Sequence, residues 1–164
     1  MSQITLRAGN RRDLPEVLTL IKELALYEKA LDQVSNTVSQ MEKDGFGDNP
    51  VYGFFVAELN GRIVGLSLYY YRYSTWKGKR LYLEDIIVTE SERGRGLGKL
   101  LFERTMKFSL EQSCTGMMWQ VLEWNTPAIN FYKKYKAKLD PEWLNGHLDE
   151  QEIRDYFDDN SLAE

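Results

Sequence analysis

Two long β-rich runs, Val51 to Leu59 and Arg62 to Tyr73, are separated only by Asn60-Gly61. An Asn-Gly pair suits a type I′ turn, in which both central residues take positive φ, so the two runs are predicted to fold back on each other as long antiparallel strands. A third β-rich run, Arg80 to Val88, extends the same sheet. Such a sheet needs helices over it, and the flanking sequence supplies them. Ile4-Thr5-Leu6-Arg7 alternates as a short first strand; Leu14, Val17, Leu18, Ile21, Leu24 and Ala25 then recur at helical spacing, with the helix ending near Glu28. Asp13 and Glu16 are spaced as a capping box, and Pro15 falls in the first turn.

Residues 29–50 are polar and irregular, with a short helix possible around Val38 to Asp44 closed by Gly45, Gly47 and Pro50; a surface excursion beside the site is expected there. Gly94 to Gly98 leads into a helix whose apolar positions are Leu97, Leu100, Leu101 and Phe108, and Met117 to Leu122 reads as the next strand. Asn125 can cap a helix with Pro127 in its first turn, carrying Ala128, Ile129, Phe131 and Tyr132. In the tail, Leu139 to Leu148 is compatible with a strand and Asp149 to Phe157 with a short acidic helix. The order predicts a mixed α/β domain, antiparallel at the front and parallel at its exit.

A chain of 164 residues fits one domain, 1–164, with a core that needs no staples. No apolar run approaches the ~18 residues that span a bilayer, and the N-terminus lacks the apolar stretch of a secretory signal, so a cytoplasmic location and no membrane partner are expected. One cysteine, Cys114, and one histidine, His147, cannot build a Cys/His metal cluster, and no metal is expected. The formal charge of −4 disfavours a nucleic-acid partner.

Arg93-Gly94-Arg95-Gly96-Leu97-Gly98-Lys99 stands where a strand hands over to a helix. Unpaired N–H groups at a helix start, close approach at glycine and three cations together suit a diphosphate. The dinucleotide fingerprint G-x-G-x-x-G fails because Lys99 stands three after Gly96, and the P-loop pattern fails because Leu100 follows Gly98-Lys99. A glycine turn with solvated arginines is the other reading of these residues taken alone.

The wider context carries a resemblance. Arg93-x-x-Gly96-x-Gly98, preceded by Ile86-Ile87-Val88 and followed by Trp124-Asn125 and Asn130-Phe131-Tyr132, matches the pyrophosphate motif of the GNAT acetyltransferases. The stretches Leu18-x-x-Ile21-Lys22-Glu23-Leu24-Ala25, Asp44-Gly45-Phe46-Gly47, Tyr82-Leu83-Glu84-Asp85, Glu123-Trp124-Asn125 and Asn130-Phe131-Tyr132-Lys133 resemble the spermidine/spermine (diamine) N-acetyltransferase group over roughly residues 4–140. Tyr73-Ser74-Thr75-Trp76-Lys77-Gly78 and Asp44 to Pro50 look closer to its thialysine N-epsilon-acetyltransferase branch.

The resemblance implies the GNAT (acyl-CoA N-acyltransferase) fold, a mostly antiparallel sheet splayed between two parallel strands and flanked by helices. It implies acetyl-CoA as co-substrate, with Ile86, Ile87 and Val88 meeting its acetyl and pantetheine groups. Arg93, Gly94, Arg95, Gly96, Leu97, Gly98 and Lys99 would hold the pyrophosphate, and Asn125, Pro127, Ala128 and Tyr132 would line the far wall. It also implies a homodimer.

Glu84 and Asp85 interrupt an apolar strand, and carboxylates so placed normally pair or face a cleft; alternation would send one to each face of the sheet. An edge strand or a structural ion pair is the other reading of either residue taken alone. The resemblance makes Glu84 the substrate-facing acid, and an ammonium with a pKa near ~10 must lose a proton before it can attack, which Glu84 could accept directly or through water. By its spacing Tyr132 is a core aromatic beside Phe131 and Tyr135; the resemblance instead makes it the proton donor to the departing thiolate. Tyr27, Glu28 and Trp76, with Glu84 and Asp85, suit an extended cation. Diamine acetyltransferases usually carry an acid where Ser74 stands and a glycine where Lys136 stands.

The function implied is acetyl transfer to a primary amine of a small cationic molecule (a thialysine-like amino acid, a diamine or a polyamine) within a ternary complex. Two other readings are a protein or peptide N-acetyltransferase, which needs an open groove that residues 29–50 look long enough to wall off, and an acetyl-CoA-binding module without turnover.

Overall fold

The structure is a computed structural model describing residues 3–161. Five strands form one sheet in chain order: β1 (Ile4–Ala8), β2 (Gly53–Leu59), β3 (Arg62–Ser74), β4 (Gly78–Val88) and β5 (Met117–Met118). Pairing is antiparallel from β1 to β4, and β5 runs parallel to β4. The β2–β3 hairpin turns as expected, with Asn60 at φ 52° and Gly61 at φ 79°. The helices are α1 (Leu14–Tyr27), α2 (Val38–Phe46), α3 (Leu97–Glu111), α4 (Thr126–Lys133) and α5 (Glu150–Ser161). The chain divides into two compact units, Met1–Leu122, which holds the sheet with α1, α2 and α3, and Glu123–Glu164, which holds α4 and α5.

Strand alternation gives the first unit a core on each face of the sheet. Phe54 and Val56 of β2, Leu66 and Leu68 of β3 and Ile87 of β4 pack with Leu14, Val17, Leu18 and Leu20 of α1 and Met41 of α2. Phe55, Ala57, Leu59 and Val64 pack with Leu97 and Leu101 of α3. Each fully buried leucine contributes about 1.5–3 kcal/mol, far more than helix propensity, so these two faces fix where α1 and α3 begin and end.

Several local expectations are corrected. Asp13 does not cap α1 through a box with Glu16: it makes no side-chain cap bond there, and the capping box sits one turn earlier, between Asn10 and Asp13. Gly45 lies inside α2, and Gly47 is its C-cap. The buried stripe of α3 runs through Leu97, Leu101, Thr105 and Ser109 with Phe102 beside it, which leaves Leu100 exposed. The strand expected over Met117 to Leu122 is only Met117–Met118, because the ladder to β4 stops at Tyr82↔Met118. Leu139 to Leu148 forms no strand; Asp140 there accepts bonds from the Glu142 N–H at 3.0 Å and the Trp143 indole N–H at 3.0 Å, a local turn that needs no sheet.

Asp13 has another partner. The Arg7 guanidinium on β1 donates to both its oxygens at 2.8 Å and to Glu58 on β2 at 2.6 and 3.0 Å, joining β1, β2 and the start of α1. Arg7 holds the buried Asp13 carboxyl below the usual range, against the opposing effect of burial. A carboxyl depressed in the folded state stabilises the fold above its unfolded pKa of about 3.9, and that stability is lost as pH falls through the folded value. Arg7→Met should therefore cost about 1–3 kcal/mol at pH 7, since it removes the charged donor that Asp13 and Glu58 share. The deficit against the native chain should shrink below about pH 4 in denaturant titrations; a deficit that is small, or that does not change with pH, would contradict this role.

Candidate active site

A short connection joins β4 to the glycine-rich turn. Thr89 and a three-residue 3-10 turn, Glu90–Glu92, lead into Arg93, and Gly94 and Gly96 take φ 79° and 78° before α3 begins at Leu97. These are left-handed conformations that glycine adopts without strain. A Cβ on either glycine would meet no atom within 4 Å, so open space lies in front of both. Gly96 is the N-cap of α3 and offers no side-chain oxygen to the N–H groups of the first turn. Outward N–H groups, the positive end of the helix and free space suit a phosphate.

The cations of the turn are held loosely. Arg93 donates from Nε to the Val88 carbonyl at 2.9 Å, and its guanidinium lies 5.6 Å from the centre of the Tyr27 ring. Arg95 lies 3.2 Å from Glu92, which also meets Arg62 at 3.7 Å, and Lys99 lies 3.9 Å from Glu103. The Arg95 and Lys99 side chains remain 51% and 66% exposed. Exposed pairs of this kind hold about 0–1 kcal/mol, which a phosphate can readily displace.

Among the described residues β4 is paired on both sides only at Leu81 and Tyr82; from Leu83 onward it keeps β3 and no strand pairs with it on the β5 side. Ile86, Ile87 and Val88 thus lie where β4 has a strand ladder on one side only, on the stretch that leads to the glycine turn. This is the splay between parallel strands.

The same stretch carries the acids. Opposite β3, Leu83 pairs with Tyr69 and Asp85 with Leu68, so Glu84 is the extra residue of a β-bulge. A bulge breaks the two-residue alternation, which corrects the expectation that Glu84 and Asp85 are sent to opposite faces. Their charges act on each other and on Glu28, the C-cap of α1. Burial first, then Glu84 and Glu28, pushes Asp85 up to about 7. Glu28 is raised by burial and by Glu84, and Glu84, exposed at the bulge, is raised by partial loss of solvent. No salt bridge to the three carboxylates occurs among the described residues. Such a group attracts a cation, whose arrival would lower all three pKa values. No cluster of three or more His, Cys, Asp or Glu side chains placed to hold a metal ion exists among the described residues.

Tyr27 is partly exposed at the end of α1, under Arg93. Trp76 is 82% exposed at the tip of the β3–β4 hairpin, next to Ser74. Six residues of strand, roughly 20 Å, separate Gly78 at that tip from Glu84, so the chain does not bring Trp76 to the carboxylates. In the second unit, the Asn125 side chain accepts from the Ala128 N–H at 3.3 Å and caps α4, with Pro127 in its first turn, as expected. Tyr132 is buried near the end of that helix, edge-on to Phe131. Lys136 takes φ 58°, the conformation for which glycine is better suited.

Sequence reasoning missed Glu23. Its carboxylate, on α1, accepts from the Thr89 hydroxyl at 2.9 and 3.1 Å and from the Glu90 N–H at 2.9 Å. Sixty-six residues separate Glu23 from Thr89, and no local spacing marks the pair.

Residues 18–136 match the acetyltransferase (GNAT) family. Over 146 residues the chain is 38% identical to thialysine N-epsilon-acetyltransferase of Bos taurus, covering 84% of this chain and 86% of that protein. It is 39% identical over 139 residues to human spermidine/spermine N(1)-acetyltransferase-like protein 1, covering 80% of this chain and 20% of that longer protein. Among solved structures, an aminoglycoside acetyltransferase from a soil metagenomic sample, in complex with sisomicin, superposes with a TM-score of 0.72 at 19% identity, covering 89% of this chain and 95% of that one. Aminoglycoside N-acetyltransferase AAC(6')-Iy in complex with CoA gives 0.69 at 18% identity, covering 92% and 97%. The structural matches establish the fold; with the sequence matches they establish that this chain belongs to the GNAT acetyltransferase family and is an N-acetyltransferase.

Proposed function

We propose that the chain transfers the acetyl group of acetyl-CoA to a primary amine of a small cationic molecule, with residues 1–164 acting as one functional domain. The observation that carries this reading is the pairing, along one strand, of an anion-ready turn after β4 with three carboxylates at and beside the β4 bulge. The open space at Gly94 and Gly96 fits a diphosphate, the free edge at Ile86, Ile87 and Val88 fits an amide-bearing pantetheine, and Arg93, Arg95 and Lys99 supply countercharge. In the second unit, Asn125, Pro127, Ala128 and Tyr132 complete the cofactor-binding set.

The thioester supplies an acyl carbon open to attack. Glu28, Glu84 and Asp85 draw in the substrate's ammonium groups, and Glu84 takes the proton that must leave the attacking nitrogen. As the C–N bond forms and the C–S bond breaks, the Tyr132 hydroxyl returns a proton to the thiolate. Tyr27 lends an aromatic face, whereas Trp76, at the hairpin tip, lies about 20 Å of strand from Glu84 and outside this group. We place the enzyme in the cytoplasm as a homodimer. The exposed apolar side chains of the second unit, Trp143, Leu144, Leu148, Ile153 and Phe157, support association, and a sedimentation run that resolves only the 19.2 kDa chain would remove the dimer.

Among amines, a thialysine-like substrate is favoured. Ser74 stands where an acid would grip the distal nitrogen of a polyamine, and loss of one charged contact is worth about 1–3 kcal/mol, or roughly 5- to 150-fold. In a thiol-release assay over an amine panel, kcat/KM for thialysine or a short lysine-like diamine should exceed that for spermine, and Ser74→Asp should move the preference towards polyamines. Spermine as the best substrate, with no effect of Ser74→Asp, would overturn the substrate reading; no turnover of any amine would overturn the enzyme reading. In the same assay Tyr132→Phe should lower kcat by roughly 10²-fold with little change in acetyl-CoA binding, whereas a fall below about threefold would return Tyr132 to a packing role.

A further inference from the structure

We infer that Glu23 is the positioning residue of the diphosphate turn, acting on it from α1. This rests on the reading that the turn after β4 takes the diphosphate of acetyl-CoA. The turn's own side-chain ties are the Arg93 Nε bond to the Val88 carbonyl and the exposed Arg95–Glu92 pair, and neither bears on the glycines directly. Gly94 and Gly96 are flexible residues with nothing against their Cα hydrogens, and Gly96 brings no capping side chain. What fixes the turn lies upstream. Thr89 is tied to the sheet through its N–H, which donates to the Val64 carbonyl at 2.8 Å. Its hydroxyl, free to cap the 3-10 turn that it begins, is instead directed to both oxygens of Glu23. The next N–H, of Glu90, donates to the same carboxylate. Two donors, the Thr89 hydroxyl shared between both oxygens and the Glu90 N–H, thus hold the chain to one charged acceptor where it leaves β4, and bonds to charged groups are the stronger kind.

The helix that carries Glu23 is rigid, with Val17, Leu18 and Leu20 buried in the core. One turn further on, on the same face, Tyr27 lies beneath the Arg93 guanidinium. Glu23 and Tyr27 therefore grip the segment at both ends, Thr89–Glu90 and Arg93, and the two glycines are presented from a fixed frame. Preorganisation of this kind lowers the ordering cost when the ligand binds. Without Glu23 the segment must be ordered by the diphosphate itself.

Only donors that carry a diphosphate should sense the loss, and S-acetylpantetheine, which lacks it, separates positioning from general support of the fold. With thialysine or the best amine of the panel as acceptor, Glu23→Ala should lower kcat/KM for acetyl-CoA tenfold or more, through KM, while kcat/KM for S-acetylpantetheine changes less than twofold. Glu23→Gln, which keeps an acceptor for the Glu90 N–H and the Thr89 hydroxyl, should recover to within about threefold of native. Thr89→Val, close in shape, should reproduce part of the defect. Equal losses with both donors, or an unchanged KM for acetyl-CoA, would overturn the inference. A native enzyme that uses both donors equally well would instead overturn the diphosphate reading beneath it.

Discussion

Backbone N–H and C=O groups within a sheet require partners, and β4 loses those on one side after Tyr82 while keeping β3 on the other. The rest of the site follows from that loss. A strand with one free edge can take an extended, amide-bearing ligand in place of a neighbour, as in strand addition to a sheet edge. The sheet tolerates the loss because cores on its two faces, not the β4–β5 ladder, hold β4 in place. Extending the ladder through Met118 to Leu122 would strengthen the sheet and close the edge.

The free edge separates two opposite electrostatic demands. At its start, the bulge at Glu84 gathers three carboxylates, raised by partial burial and by one another, which favour a cation. Beyond its end, the start of α3 and three basic side chains favour an anion. Acetyl transfer from a diphosphate-bearing thioester to a polyvalent amine requires both, and each would be a liability in the wrong place. Raised acids and an N-cap without a capping oxygen lie along this one line. The Arg7–Asp13–Glu58 group that joins β1, β2 and α1 is, by contrast, matched.

Much of this was legible in the sequence because it is local. Asn60-Gly61 dictated the hairpin, the glycines marked the strand-to-helix turn, and Asn125-x-Pro127 marked the start of α4. What escaped depends on distant partners. Asp13 looked like the cap of α1, but Arg7 and the Asn10 N–H compete for its carboxylate. Leu100 matched helical spacing, yet the stripe centred on Leu101 and Thr105 excludes it, and Phe102 is buried instead. Strict alternation misjudged Glu84 and Asp85, since a bulge is set by register with β3; two adjacent acids in an apolar strand were its only sign. Glu23 stood in a stretch that carries the resemblance, but its bonds were not legible, because its partners are on another element.

The central claim is that the turn at Gly94 to Lys99 receives the diphosphate of acetyl-CoA. Calorimetric titration of CoA into the native chain and into Gly96→Asp tests it most directly, with circular dichroism confirming that both are folded. An aspartate at this position adds a side chain at φ 78° and a negative charge in the space open to phosphate, so the account predicts a saturable CoA isotherm for the native chain and none for the variant. Unchanged CoA affinity in a folded Gly96→Asp variant would contradict it.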